Sequence, residues 1–152
     1  MKEASLQRLL AANIETLNRA LPSFERSLAK CALIPSKDRL SFEEEECFDA
    51  LTSKFSRIAD IYCQKVLKSL VLLLREDAPT FIDRANLCEK LSIIPSAEHL
   101  VAIRDLRNTI AHEYITENLI EVYRDTVTLA PALLTAIAAT AGFIEKRDLT
   151  HV

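Results

Sequence analysis

The sequence predicts an all-α protein, an antiparallel bundle of about five helices. Only one residue is a glycine, so the chain lacks most of the turn chemistry that antiparallel sheets need. Residues with high helix propensity, such as Leu, Ala and Glu, are frequent along the whole chain. Apolar residues recur at steps of three and four, which is the period of a helix with one buried face.

Size and charge favour one domain covering residues 1–152. Apolar residues make up 49% and charged residues 27% of the chain, the profile of a soluble protein that can bury a core. The net charge of −3 argues against a protein that coats nucleic acid nonspecifically, because such proteins are usually strongly basic. A local RNA-binding site is compatible with that charge.

The cysteines and the N-terminal residues predict a cytoplasmic protein. Cys31, Cys47, Cys63 and Cys88 are too far apart for a zinc knuckle or a dithiol redox motif. No signal peptide precedes the first helical pattern. We therefore expect four reduced thiols that serve as small apolar residues.

The first predicted helix carries one apolar stripe. The stripe consists of Leu6, Leu10, Ile14, Leu17, Leu21, Phe24 and Leu28. Pro22 removes a backbone hydrogen bond, so we expect the helix to kink or restart there. Residues 34–39 follow as a connector.

The second predicted helix is long. Ser41 and Glu44 form a capping box at its start. Apolar residues at helical spacing then run from Phe48 to Leu74, which predicts one helix to about Arg75. A helix of this length normally packs along a partner in a bundle.

Two shorter helices are expected next. Thr80 with Asp83 caps the third helix, and Ser96 caps the fourth. The fourth helix carries the most reactive stretch of the chain, Arg104-Asp105-Leu106-Arg107-Asn108-Thr109-Ile110-Ala111-His112-Glu113-Tyr114.

The last predicted helix is capped by Thr116 and begins at Glu117. No charged residue occurs from Thr126 to Ile144, a length that can span a bilayer. Its threonines and many small alanines favour instead a central helix of the bundle or an oligomer contact. We therefore expect no association with a membrane.

A helical wheel divides the fourth helix into two faces. Leu100, Ile103, Leu106 and Ile110 fall on one arc, whereas Arg104, Asn108 and His112 are four residues apart on another. Arg107 and His112 are about 140° apart, so they flank a common surface without stacking.

Several catalytic classes have no signature in this sequence. A glycine-rich phosphate loop is absent, because Gly142 is the sole glycine. No His or Cys stands at metal-ligand spacing from His112, so we expect neither a metal nor a cofactor. No pattern marks a nucleophilic triad either.

The remaining combination, a histidine with an arginine, suits cleavage of RNA without a metal. His112 is a candidate acid or base, Arg107 can hold the phosphate, and Asn108 can orient either group. Because the 2′-hydroxyl of RNA would be the nucleophile, such a site would spare DNA. The same residues also fit an ordinary solvent-exposed helix face without activity.

The stretch from Arg107 to Tyr114 resembles the R-x4-H-x-Y signature of the HEPN superfamily, in particular the HepT-like toxins. The Asn after the Arg, the small all-α bundle and the position of the motif before a final long helix are also similar to that family. The resemblance covers the whole length of the chain.

This resemblance implies a metal-independent endoribonuclease toxin that acts as a homodimer, with Arg107 and His112 of two protomers converging in one cleft. It implies a minimal nucleotidyltransferase antitoxin as partner, which transfers AMP from ATP to Tyr114. Arg104 and Tyr114 would also help to bind RNA. Glu113 and the acidic total charge are less favourable to RNA than a basic chain would be. Two alternatives stay open: a non-catalytic substrate-binding subunit of a nucleotidyltransferase, and a purely structural bundle.

Overall fold

Five helices follow one another in the computed structural model, which describes residues 2–112 and 118–151. No β-strand occurs in these two ranges, so the predicted all-α class is confirmed. The helices are α1 (Glu3–Ala32), α2 (Phe42–Asp60, continued by the π-helical turn Ile61–Val66 and by Leu67–Leu73), α3 (Phe81–Lys90), α4 (Ala97–His112) and α5 (Leu119–Lys146).

The predicted stripe of α1 is confirmed, but the expected restart of the helix at Pro22 is wrong. Leu10, Leu17 and Phe24 are buried at intervals of seven residues on one continuous helix. The proline costs about 3 kcal/mol in a helix interior, and burial on both sides of it offsets that cost. Pro22 and Asn18 are both exposed, so water can bond the Asn18 carbonyl oxygen that the proline leaves free.

Side-chain caps begin three of the helices where the sequence predicts them. Ser41 and Glu44 form both hydrogen bonds of the capping box on α2, and Thr80 and Asp83 form the equivalent pair on α3. The backbone N–H of His99 donates to the Ser96 hydroxyl at the start of α4. These caps fix the helix starts because the first amides of a helix have no partner within it.

Three helices end without a glycine. The second residue after each end has a left-handed backbone, with φ of 57° at Arg75, 61° at Ser92 and 52° at Asp148. The next amide in each case bonds back to a carbonyl five residues earlier, as Ile93 does to Cys88 at 2.8 Å. This Schellman arrangement satisfies the terminal carbonyls and turns the chain toward the next helix.

The core lies where α2 and α5 pack together and against α1. The Tyr62 hydroxyl is fully buried and bonds the Thr140 hydroxyl at 2.7 Å. Near the start of α2, the rings of Phe48 and Tyr123 stack with centroids 4.9 Å apart, and the Tyr123 hydroxyl donates to Asp49. These contacts hold α5 against α2 near both ends of α5.

The helix α5 is long and apolar enough to cross a membrane, by length and composition only. Val122, Ala130, Leu133 and Phe143 are buried against the other helices, and the core helix of a soluble protein passes the same test. One such helix is therefore weak evidence for a membrane span. The described part of this helix begins at Leu119, and the expected cap Thr116 lies outside the described residues.

Candidate active site

A surface cleft between α2 and α4 contains three of the residues predicted to form the site. Its volume is about 260 Å³. The side chains of Arg104, Arg107 and Asn108 lie on its α4 side, and those of Asp60 and Gln64 lie on its α2 side. Ala59 and Cys63 complete the lining. Packing of the Leu100, Ile103 and Leu106 face into the core turns this polar face of α4 outward.

Arg107 is held by a bidentate ion pair with Asp60. Its Nε donates to Oδ1 of the carboxylate at 2.7 Å and its Nη2 donates to Oδ2 at 2.9 Å. The hydrogen bonds to Asp60 raise the pKa of Arg107 above its usual value, so this side chain stays charged. A guanidinium has five N–H donors, so this pair fixes its orientation and leaves three donors for a ligand.

Arg104 lies over an aromatic ring beside the cleft. Its guanidinium carbon is 4.6 Å from the ring centroid of Phe81 on α3, and it also bonds the neighbouring Asp105 at 3.2 Å. Both partners of this ion pair are solvent-accessible, which makes the pair weak. A guanidinium fixed over a ring can contact a phosphate with its edge.

The π-helical turn of α2 forms one wall of the cleft. It begins directly after Asp60 and carries both Cys63 and Gln64. A π-helical turn has a wider backbone than an α-helix, and such turns frequently occur at functional sites. Here the turn buries Tyr62 and Cys63 and leaves Gln64 exposed toward the cleft.

His112 does not line this cleft. It is exposed and is the last residue of the described part of α4. His112 lies five residues after Arg107, which corresponds to a rise of about 7.5 Å along the helix axis. That the two side chains flank a common surface stays a prediction. The predicted AMP acceptor, Tyr114, lies outside the described residues, as does Glu113.

Two polar residues of the cleft, Asp60 and Gln64, were not predicted from the sequence. Asp60 is 47 residues away from Arg107 in the chain, and Gln64 lies in a stretch that reads as ordinary helix. The single sequence signal for Asp60 is a carboxylate interrupting the apolar pattern of α2 next to buried Ile58 and Ala59. That signal also fits any exposed acidic residue.

The chemistry of the cleft is suited to anions. It presents two guanidiniums and two side-chain amides against one carboxylate that is already bound. Within residues 2–112 and 118–151, no cluster of three or more His, Cys, Asp or Glu side chains could hold a metal ion. The four cysteines are free thiols.

A second concave region lies between α1, α2 and α5. Its volume is about 340 Å³, and most of its lining is apolar, including Ile14, Leu17 and Ile137. The ion pair of His151 and Asp148, 2.6 Å apart, lies at this region. Arg104, Arg107, Asn108 and His112, the predicted site residues that the structure describes, do not line it, and we assign the candidate site to the cleft on α4.

Comparison with known proteins identifies no family for this chain. No family model matches the chain, and neither a curated protein nor a solved structure matches it. The resemblance to the HEPN superfamily therefore stays a prediction carried by the motif and the order of the helices.

Proposed function

We propose that this chain is a metal-independent endoribonuclease, the toxin of a HEPN-type toxin–antitoxin pair. The observation that carries the proposal is the anion-binding cleft on α4, where Arg104, Arg107 and Asn108 meet. His112 is exposed farther along the same helix, outside that cleft. The substrate class is RNA, because the reaction needs its 2′-hydroxyl.

The reaction follows from these groups. The 2′-hydroxyl attacks the phosphorus and loses its proton to the imidazole of His112, which acts as a base. The bond from phosphorus to the 5′-oxygen breaks, that oxygen takes up a proton from water as it leaves, and His112 returns its own proton to the solvent afterwards. The products are a 2′,3′-cyclic phosphate and a 5′-hydroxyl. The three free donors of Arg107 stabilise the charge that develops on the phosphate.

In this proposal, a homodimer brings Arg107 and His112 to the same phosphate. Because Arg107 and His112 point in directions about 140° apart on one helix, one chain presents them poorly to the same phosphate. Two α4 helices meeting in a dimer would place Arg107 of one protomer beside His112 of its partner. A minimal nucleotidyltransferase antitoxin would then silence the enzyme by transferring AMP to Tyr114.

The test is cleavage of a panel of RNAs by the purified protein in EDTA. We expect His112→Ala and Arg107→Ala to abolish cleavage while the helical circular dichroism is retained. The matched control is His99→Ala, since His99 is an exposed histidine near the start of the same helix. If His112→Ala cleaves RNA as fast as the parent, the catalytic assignment is wrong.

The proposed regulation has a separate readout. With the antitoxin and ATP, the intact mass of the parent should increase by one AMP, and Tyr114→Phe should keep its original mass. An AMP adduct on Tyr114→Phe would move the acceptor to another residue.

The ion pair between Arg107 and Asp60 favours a second candidate, a non-catalytic substrate-binding subunit of a nucleotidyltransferase. A guanidinium that is already paired, with His112 outside the cleft, also suits binding without cleavage. The two candidates differ in one outcome. Expression of the toxin alone should arrest growth, whereas a binding subunit should leave growth unchanged and raise the rate of its partner's transfer reaction.

A further inference from the structure

Arg84 on α3 is a buried cation without a counterion among the described residues. The residue is only 6% exposed, and its Nε has no hydrogen-bond partner. No ion pair in the described part of the chain involves its guanidinium. Burying an unpaired charge costs several kcal/mol, so such a side chain points to a ligand of opposite charge.

The surroundings of Arg84 do not neutralise it. The charge of Arg84 acts on the thiols of Cys63 and Cys88, whose pKa values are nevertheless raised to about 12 and about 11, chiefly by burial. Both thiols are therefore protonated and uncharged at neutral pH. The carboxylate of Asp60 is occupied by both hydrogen bonds from Arg107.

Arg84 does not line the cleft itself, but it lies beside Arg104, which does. Its guanidinium carbon is 5.5 Å from the ring centroid of Phe81, the same ring that Arg104 covers at 4.6 Å. Its charge also acts on Cys63, which lines the cleft. Arg104 and Arg107 each have a carboxylate partner, so Arg84 is the one of these three guanidiniums that has no ion-pair partner within residues 2–112 and 118–151.

We propose that Arg84, together with Arg104, forms a second phosphate subsite, which binds a non-bridging oxygen of the RNA phosphate next to the one held by Arg107. The inference rests on the proposed function for the identity of the ligand. Binding there would neutralise the buried charge, and this would favour RNA over an uncharged ligand.

The test measures binding of a fluorescent, fully 2′-O-methylated oligoribonucleotide, which cannot be cleaved by the proposed reaction. We expect Arg84→Met to raise Kd at least about ten-fold, as loss of a charge-assisted hydrogen bond does. The slope of log K against log salt should fall by about 0.7, since one phosphate contact is lost on a single strand. Arg26→Met is the matched control, because Arg26 is an exposed arginine on α1, which contributes nothing to this cleft.

Thermal unfolding distinguishes a binding role from a structural one. A Met at position 84 removes the buried charge and keeps an apolar side chain, so the Tm of Arg84→Met should equal or exceed that of the parent. Inorganic phosphate at 10 mM should raise the Tm of the parent and leave the Tm of Arg84→Met unchanged. If the parent's Kd and salt slope persist in Arg84→Met, the proposal is overturned.

Two further outcomes are decisive. If phosphate binding depends on Arg84 but oligoribonucleotide binding does not, the assignment of the subsite to RNA is wrong. Should Arg84→Met fail to fold, Arg84→Lys replaces it: we expect the parent's salt slope with a Kd raised several-fold, and an unchanged Kd overturns the proposal. The binding assay does not require cleavage. Its result is therefore independent of whether His112→Ala abolishes RNA cleavage.

Discussion

The ion pair between Asp60 and Arg107 is the contact most directly open to measurement. Asp60→Asn keeps the shape of the side chain and removes its charge, and Arg107→Gln removes the guanidinium. A double-mutant cycle with both single variants and the double variant isolates the energy of the pair.

The geometry and the exposure of the pair set the expected magnitude. Two hydrogen bonds of 2.7 and 2.9 Å between charged groups would be worth about 1.5–3 kcal/mol in a shielded site. The two side chains are 34% and 47% exposed, and exposed pairs typically contribute about 0.2–1 kcal/mol. We therefore expect a coupling energy of about 1 kcal/mol, between these two ranges.

Urea unfolding followed by circular dichroism measures this energy in all four proteins. In a separate thermal unfolding measurement, Asp60→Asn alone should lower the Tm by about 2–4 °C for a chain of this size. A coupling energy below about 0.3 kcal/mol would show that the pair does not hold Arg107 in place. The proposed orientation of the guanidinium toward phosphate would then lack its support.

Five other substitutions test the scaffold. Pro22→Ala should raise stability by about 1–3 kcal/mol in urea unfolding, because α1 gains the missing backbone hydrogen bond; a loss of stability would contradict a continuous helix. Phe24→Ala should cost about 3–5 kcal/mol through the cavity it leaves, whereas Leu33→Ala, at an 84% exposed residue, should change little. Ser41→Ala should cost about 1 kcal/mol by removing the cap of α2. Burial raises the pKa of Tyr62 far above its usual value. The contribution of the protonated hydroxyl to stability is therefore complete below about pH 10 and is lost as the pH rises further. In thermal unfolding, Tyr62→Phe should lose less stability than the parent between about pH 10 and 12.

The helices and most of their starts could be predicted from the sequence, because the signals are local. Apolar residues at intervals of three and four identified the buried faces, and Ser41, Thr80 and Ser96 marked helix starts with their own side chains. At Pro22 the helix continues, although the sequence predicted a kink or a restart. The proline rule considers only the missing hydrogen bond and not the burial of Leu17 and Phe24 on the same helix.

In the candidate site, too, the local features could be predicted from the sequence and the contacts between helices could not. The sequence by itself determined that Arg104, Asn108 and His112 share one face of a helix, because helical spacing fixes which side chains are neighbours. Only the tertiary structure decided that Asp60 pairs with Arg107, that a π-helical turn lines the cleft, and that Arg84 is buried without a counterion. These features join residues from α2, α3 and α4, and contacts between distant segments exist only after the helices have packed.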